Sequence, residues 1–143
     1  MASARTEEVF NCSTEEFYKI VTDYEQYPKF LTEVKSVKVY KNAGNIKEME
    51  YHVSLIKTFK YKLKATEVSN KSVSFEFIGG DVFKTMKGSW TLNDQYGKCA
   101  VVYYVDATFG LLVPDSVAKP LVSANLPMMI SNFKKRIKEI YGK

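Results

Sequence analysis

Phe59-Lys60-Tyr61-Lys62-Leu63-Lys64-Ala65-Thr66 alternates ring or aliphatic side chains with lysines and a threonine, one residue after another. A period of two sends successive side chains to opposite faces, so this stretch predicts a β-strand with one wet and one buried face. The rhythm extends outward. Upstream, Met49, Tyr51, Val53 and Leu55 alternate with Glu48, Glu50, His52 and Ser54. Before them the strand around Val37 and Val39 ends at Asn42-Ala43-Gly44-Asn45, a turn sequence with glycine where positive φ is cheap. Downstream, Ser69-Asn70-Lys71 turns the chain into Val73, Phe75 and Phe77, and Gly79-Gly80-Asp81 turns it into a strand running to about Asn93. Asp94 to Lys98 then leads to a last strand, Cys99 to about Phe109. Short turns between one-face-wet strands make an antiparallel meander of at least six strands.

The last strand is apolar on both faces, from Ala100 to Val105. It should be covered on both sides, or lie where the sheet bends around another element. A helical stripe supplies that element. Leu126, Ile130, Phe133, Ile137 and Ile140 recur at spacings of four and three, with Val122 and Met129 beside them. Lys134, Lys135, Arg136 and Lys138 suit a helix C-terminus, and Gly142 a stop. Pro120 and Pro127 predict a kinked or two-piece helix. Burying five or six large side chains contributes on the order of 10 kcal/mol gross, so the helix must dock.

Ahead of the meander, Arg5 to Phe10 is a short extended run. Ser13 and Thr14 then offer an N-cap, with Glu15 and Glu16 in the first turn of a helix carrying Phe17, Ile20, Val21 and Tyr24. Pro28 ends or redirects it, and Tyr24 to Leu31 reads as a second, short helical turn. The fold class expected is therefore α+β. A curved antiparallel sheet of six to seven strands wraps a long C-terminal helix, with two short helices after the first strand.

Length and composition agree. The 143 residues suit one domain spanning 1–143, and no repeat or Pro/Gly-rich linker divides them. An aromatic share of 14%, with ten Tyr and nine Phe against one Trp, suits half-buried pleated surfaces or a ring-lined cavity. The net charge of +5 is mild and permits, without demanding, attraction to phosphates or anionic headgroups. Cys12 and Cys99 stand apart and belong to no C-x-x-C pair; one disulfide is formally possible, but nothing resembles a secreted framework or a zinc site. The chain begins without a basic-then-apolar leader, and no apolar run approaches ~18 residues. A cytoplasmic, reduced protein follows, peripheral to membranes at most.

Three stretches carry a resemblance. Asp23-Tyr24-Glu25-Gln26-Tyr27-Pro28-Lys29-Phe30-Leu31 looks like a D-Y-x-x-Y-P-x-F signature. Gly79-Gly80-Asp81-Val82-Phe83-Lys84 through Trp90 is similar to a G-P-F-x…W strand, with Val82 in place of proline. Ile130 to Arg136 with Tyr141-Gly142 is similar to a closing F-x-x-R…Y-G. Together, over nearly the whole chain, they resemble the polyketide cyclase/dehydrase and coenzyme-Q-binding family of the START-like (SRPBCC, helix-grip) superfamily. That resemblance implies a cavity between sheet and helix, and lipid carriers, cyclases and a ribosome-associating protein share the scaffold.

The inward candidates for ligand contact are Met49, Tyr51, Val53, Phe59, Tyr61, Phe75, Phe77, Met86 and Trp90 on strands, with Met129 and Phe133 on the helix. Flexible Met and rings give an adaptable wall, and each buried CH₂ of a guest contributes about 0.8 kcal/mol. Tyr phenols are candidates for orienting a carbonyl. Catalysis has little to rest on. His52, the one histidine, falls on the face opposite Tyr51 and Val53, and no Ser-His-Asp set, His/Cys cluster or phosphate-cradling loop is present. Neither a catalytic residue, a metal nor a cofactor is expected. Asp106 is the one acid in a strongly apolar segment, either a headgroup or acid/base group facing the cavity or a strand-end partner for Lys.

Lys57, Lys60, Lys62 and Lys64 form a stripe opposite the rings. Because the rings face away, a stacking surface for nucleic acid is not implied, and DNA is not an expected partner. Contact with anionic lipid headgroups, or with ribosomes, is the functional alternative to a merely solvated face. Gly110-Leu111-Leu112-Val113, leading to Pro114–Pro120, is an apolar connector that either caps the cavity or touches a membrane. The leading expectation is carriage of a small hydrophobic molecule, lipid or quinone-like. The rival is a polyketide aromatase/cyclase, and a third reading is a ribosome-associating regulator.

Overall fold

The computed structural model describes residues 2–54, 57–111, 113, 114, 116, 118 and 126–143. One sheet of seven strands organises them. The strands are β1 (Ala2–Phe10), β2 (Val34–Ala43), β3 (Ile46–Ser54), β4 (Thr58–Val68), β5 (Ser72–Gly80), β6 (Phe83–Gln95) and β7 (Lys98–Phe109). Their spatial order, β1-β7-β6-β5-β4-β3-β2, is a six-strand meander closed on one side by the first strand. β1 is longer than Arg5–Phe10, and pairs antiparallel with β7 from Ala2↔Ala107 to Phe10↔Cys99. This places β7 between two neighbours, β1 and β6.

Between β1 and β2 the chain makes helix α1 (Thr14–Val21) and a 3₁₀ helix (Tyr24–Lys29). α1 starts on a reciprocal cap. Glu16 N–H donates to Ser13 Oγ at 3.0 Å, and Ser13 N–H to Glu16 Oε1 at 2.9 Å, satisfying two otherwise orphaned amides. Phe17, Ile20 and Val21 form its buried face.

Helix α2 (Leu126–Tyr141) lies against the concave face, and Ile130, Phe133 and Ile137 are buried. Phe133 is the hub of the grip. Its ring lies 5.9 Å from Phe17, 5.0 Å from Trp90 and 5.1 Å from Phe30, joining both leading helices to the sheet. Pro127 lies at the start of the described helix, where its missing N–H costs nothing. One sequence expectation changes here. Ile140 is 50% exposed, and Asn132 instead is buried. Pro120, Val122, Leu55, Leu112 and Asp115, read in the sequence as kink, stripe, strand and connector residues, lie outside the described residues.

The sheet curls because its strands bulge. Register shifts fall between Val34/Ser36 and Val39/Lys41 on β2, at Lys62/Leu63 in the β4–β5 pair, and at Phe83/Thr85 in the β6–β7 pair. At Gly88 the neighbouring strands leave no room for a side chain. A Cβ there would stand 2.3 Å from the Tyr104 carbonyl oxygen and 2.5 Å from Phe75 Cζ.

Candidate functional site

The curled sheet and α2 enclose a cavity of about 160 Å³. Three tyrosines give it polar character. Tyr51 on β3 and Tyr61 on β4 are cross-strand partners whose rings stack in parallel at 5.3 Å. Tyr103 on β7 leans on Trp90 at 4.5 Å. Tyr61 and Tyr103 keep accessible surface although they lie deep in the fold, because that surface faces the cavity. Burial pushes all three phenols above their ordinary range; Tyr27 and Tyr103 add to the effect at Tyr51, and Tyr103 and Glu33 at Tyr61. Each therefore remains a neutral O–H donor at any physiological pH. The rest of the wall is apolar apart from Glu33, half-buried just before β2.

One end is closed by the aromatic signature of the sequence. Tyr24 Oη donates to Glu67 Oε2 at 2.6 Å, and Lys47 holds the other oxygen of that buried carboxylate. Burial, then the bond to Glu67, raises the Tyr24 phenol far above its usual range. Tyr27 Oη donates to the Val21 carbonyl, and its ring meets Phe30 edge-on at 5.8 Å. Both signature tyrosines thus pin the 3₁₀ helix while turning their rings to the cavity.

Of the candidates read from the sequence, Met49, Tyr51, Val53 and Tyr61 line the cavity, as do Phe75, Met86 and Trp90. Met129 and Phe133 complete it from the helix. Phe59 and Phe77 are not on its wall. Phe59 is buried behind Tyr61, 6.1 Å away, and Phe77 rests on Phe83 at 6.0 Å. The reading missed Tyr103, Phe83 and Glu33, together with Tyr24 and Tyr27. Strand parity could have found Tyr103, which shares its face with Cys99, Val101 and Val105.

Asp106 belongs to the other face. Register sets it opposite Lys87 and Ser3, away from the cavity, so the headgroup role weighed for it is excluded, and its Oδ1 is buried without a partner. His52 also faces outward, 3.2 Å from Glu50. On this convex face the lysines do not form a basic patch. Register aligns Lys41, Glu48, Lys64, Glu76, Lys87 and Asp106 across six strands, alternating in sign at every step. Lys62 likewise faces Glu50. Of the stripe seen in the sequence, Lys62 and Lys64 stand opposite acids, while Lys60 stands opposite His52 and Lys57 precedes β4.

Among the described residues no cluster of His, Cys, Asp and Glu could hold a metal ion. No described helix is long and apolar enough to cross a membrane. Cys12 and Cys99 are free and buried. Leu111 is fully exposed at the end of β7, while Val113 is half-buried.

The sequence profile described as "Polyketide cyclase / dehydrase and lipid transport" matches residues 11–134. The chain belongs to this family. Solved structures agree on the START-like, helix-grip fold. A START superfamily protein from Mycobacterium smegmatis superposes with a TM-score of 0.84 at 16% identity, covering 96% of this chain and 98% of that one. The Zhui aromatase/cyclase from Streptomyces sp. R1128 gives 0.85 at 8% identity, covering 96% and 93%. A STAR-related lipid transfer protein (fragment 25–204) from Xanthomonas axonopodis gives 0.78 at 16% identity, covering 95% and 85%. Identities this low speak for the fold and not for a shared ligand.

Proposed function

We propose that the chain, acting as one binding unit, holds and carries a small hydrophobic molecule with a ring-sized, hydrogen-bond-accepting end. The observation that carries this reading is the cavity wall itself: an apolar enclosure into which Tyr51, Tyr61 and Tyr103 direct neutral phenols. None of the three phenols is hydrogen-bonded to another described residue. At about 160 Å³ the cavity is below the roughly 300–1,000 Å³ of drug-sized sites. It matches the roughly 150 Å³ that accepts a benzene ring. A quinone or phenolic ring satisfies both size and polarity, and any tail would extend beyond the cavity. Relatives named for lipid transfer and for aromatase/cyclase activity support a hydrophobic guest.

Native mass spectrometry of freshly purified protein, followed by solvent extraction, should recover such a molecule. Reproducibly empty protein that also takes up no quinone, phenol or fatty acid would overturn the reading. The aromatase/cyclase alternative keeps one foothold, the Glu33 carboxylate on the cavity wall, since Asp106 is excluded. It expects Glu33→Gln to abolish cyclisation of a poly-β-ketone while binding survives. The carrier reading expects no cyclisation by either protein. A ribosome-associating role would rest on the Lys57–Lys64 stripe, where Lys62 and Lys64 face acids in register and Lys60 faces His52; co-sedimentation with ribosomal subunits at moderate salt tests it.

A further inference from the structure

A β-hairpin is ordinarily most tightly paired beside its turn. β5 and β6 do the opposite. Their pairing runs from Ser72↔Thr91 to Glu76↔Lys87 and stops, four residues short of the end of β5. From there Phe77–Gly80 pairs only with β4, and Phe83–Met86 only with β7. Each strand bulges where the two part. Leu63↔Phe77 is followed by Lys62↔Gly79, leaving Ile78 unmatched, and Phe83↔Phe109 is followed by Thr85↔Thr108, leaving Lys84 unmatched. Paired bulges bend the strands apart and leave a slot in an otherwise continuous ladder. Backbone groups facing such a slot need water, because burying them unpaired is costly.

Two rings stand behind the slot. Phe77 and Phe83 are 6.0 Å apart, and Phe83 meets Tyr61 edge-on at 5.2 Å where it lines the cavity. The turn carrying Phe83 is strained. Val82 has φ of +73°, and Phe83 N–H donates to the Asp81 carbonyl at 2.8 Å, making a γ-turn of the rare positive-φ kind. A β-branched residue there is an outlier, and strain of this sort marks places that switch. Contacts on either side hold it. Asp81 N–H donates to the Lys60 carbonyl at 2.8 Å, Lys60 N–H to Asp81 Oδ2 at 3.1 Å, and Gly110 N–H to the Val82 carbonyl at 2.9 Å.

We infer that the guest passes laterally through the sheet, between β5 and β6, with Phe83 as the gate and the Val82 turn as its hinge. This rests on the proposal that the cavity binds a small hydrophobic molecule. Swinging Phe83 outward breaks no β5–β6 ladder bond and relaxes a strained turn.

Stopped-flow quenching of Trp90 by 1,4-naphthoquinone tests it. Phe83→Ala should raise the association and dissociation rates together by about tenfold, whereas the mere loss of a wall contact would speed dissociation alone. Phe83→Leu, which keeps the core filled, should give a smaller increase of the same kind. Met128→Ala, on the exposed flank of the first turn of α2, should leave both rates as they were. Unchanged rates in both Phe83 variants, or a larger acceleration in Met128→Ala, would overturn the lateral passage while leaving binding intact. Failure of the unmodified protein to bind the probe would instead bring down the binding reading, and the passage with it.

Discussion

Tyr24 and Glu67, 43 residues apart in the chain, meet through a 2.6 Å hydrogen bond in the interior. The bond ties the 3₁₀ helix to β4, and Lys47 compensates the carboxylate's charge. Removing one partner leaves the others stranded, which costs more than the bond is worth by itself. Tyr24→Phe should lower unfolding free energy by about 1–3 kcal/mol. Glu67→Ala, which leaves Lys47 unpaired but partly able to reach water, should cost about 3 kcal/mol. Urea titrations followed by circular dichroism measure both, and a Tyr24→Phe protein as stable as the parent would contradict the latch.

Gly88 sits where a side chain has no room, against the Tyr104 carbonyl and the Phe75 ring. The carbonyl belongs to the neighbouring strand and cannot retreat. Gly88→Ala should therefore destabilise by about 3 kcal/mol, the upper range for overpacking, and displace Phe75 from the cavity wall. Thermal unfolding reads the first effect and probe affinity the second.

The interior phenols make an alkaline signature. Burial leads the upward shift at Tyr24, Tyr27, Tyr51, Tyr61 and Tyr103. A folded value above the unfolded one contributes stability that is complete below the unfolded phenol range, near 10, and is lost as pH rises beyond it. Absorbance at 295 nm should show these five ionising only together with unfolding. Smooth ionisation of all ten tyrosines in a folded protein would contradict the burial described.

The thiols should be silent. Burial is the main cause raising Cys12 to about 11 and Cys99 to about 12, and the thiolate is the reactive form. Ellman's reagent at pH 8 should find neither in the native state and both in urea. Rapid reaction of either in folded protein would show that the β1–β7 end opens.

Periodicity revealed most of the fold because each strand of the meander has one wet face. Phe59 to Ala65 alone set the inward parity of β4, and the register of its neighbours followed. The same parity puts Glu67 inside, in line with Phe59, Tyr61, Leu63 and Ala65, yet polarity argued for the surface. Only the Tyr24 and Lys47 contacts, long-range in sequence, make its burial tolerable. The lysine stripe misled for a related reason. Alternation along one strand says nothing of what stands opposite, and acids of β3 and β5 stand opposite Lys62 and Lys64. Phe59 and Phe77 point inward as read, but depth within a curled sheet depends on bulges, which no local pattern announces.

Trp90, the one tryptophan of the chain, lies on the cavity wall between Tyr103 and Phe133, so its emission reports occupancy directly. Titration with 1,4-naphthoquinone, beside naphthalene of the same shape, tests the central claim. Saturable one-to-one quenching by the quinone should occur, with affinity falling toward that of naphthalene when Tyr51, Tyr61 and Tyr103 are changed to Phe. Quenching that never saturates, or that persists undiminished when Ala65→Leu fills the cavity, would contradict it.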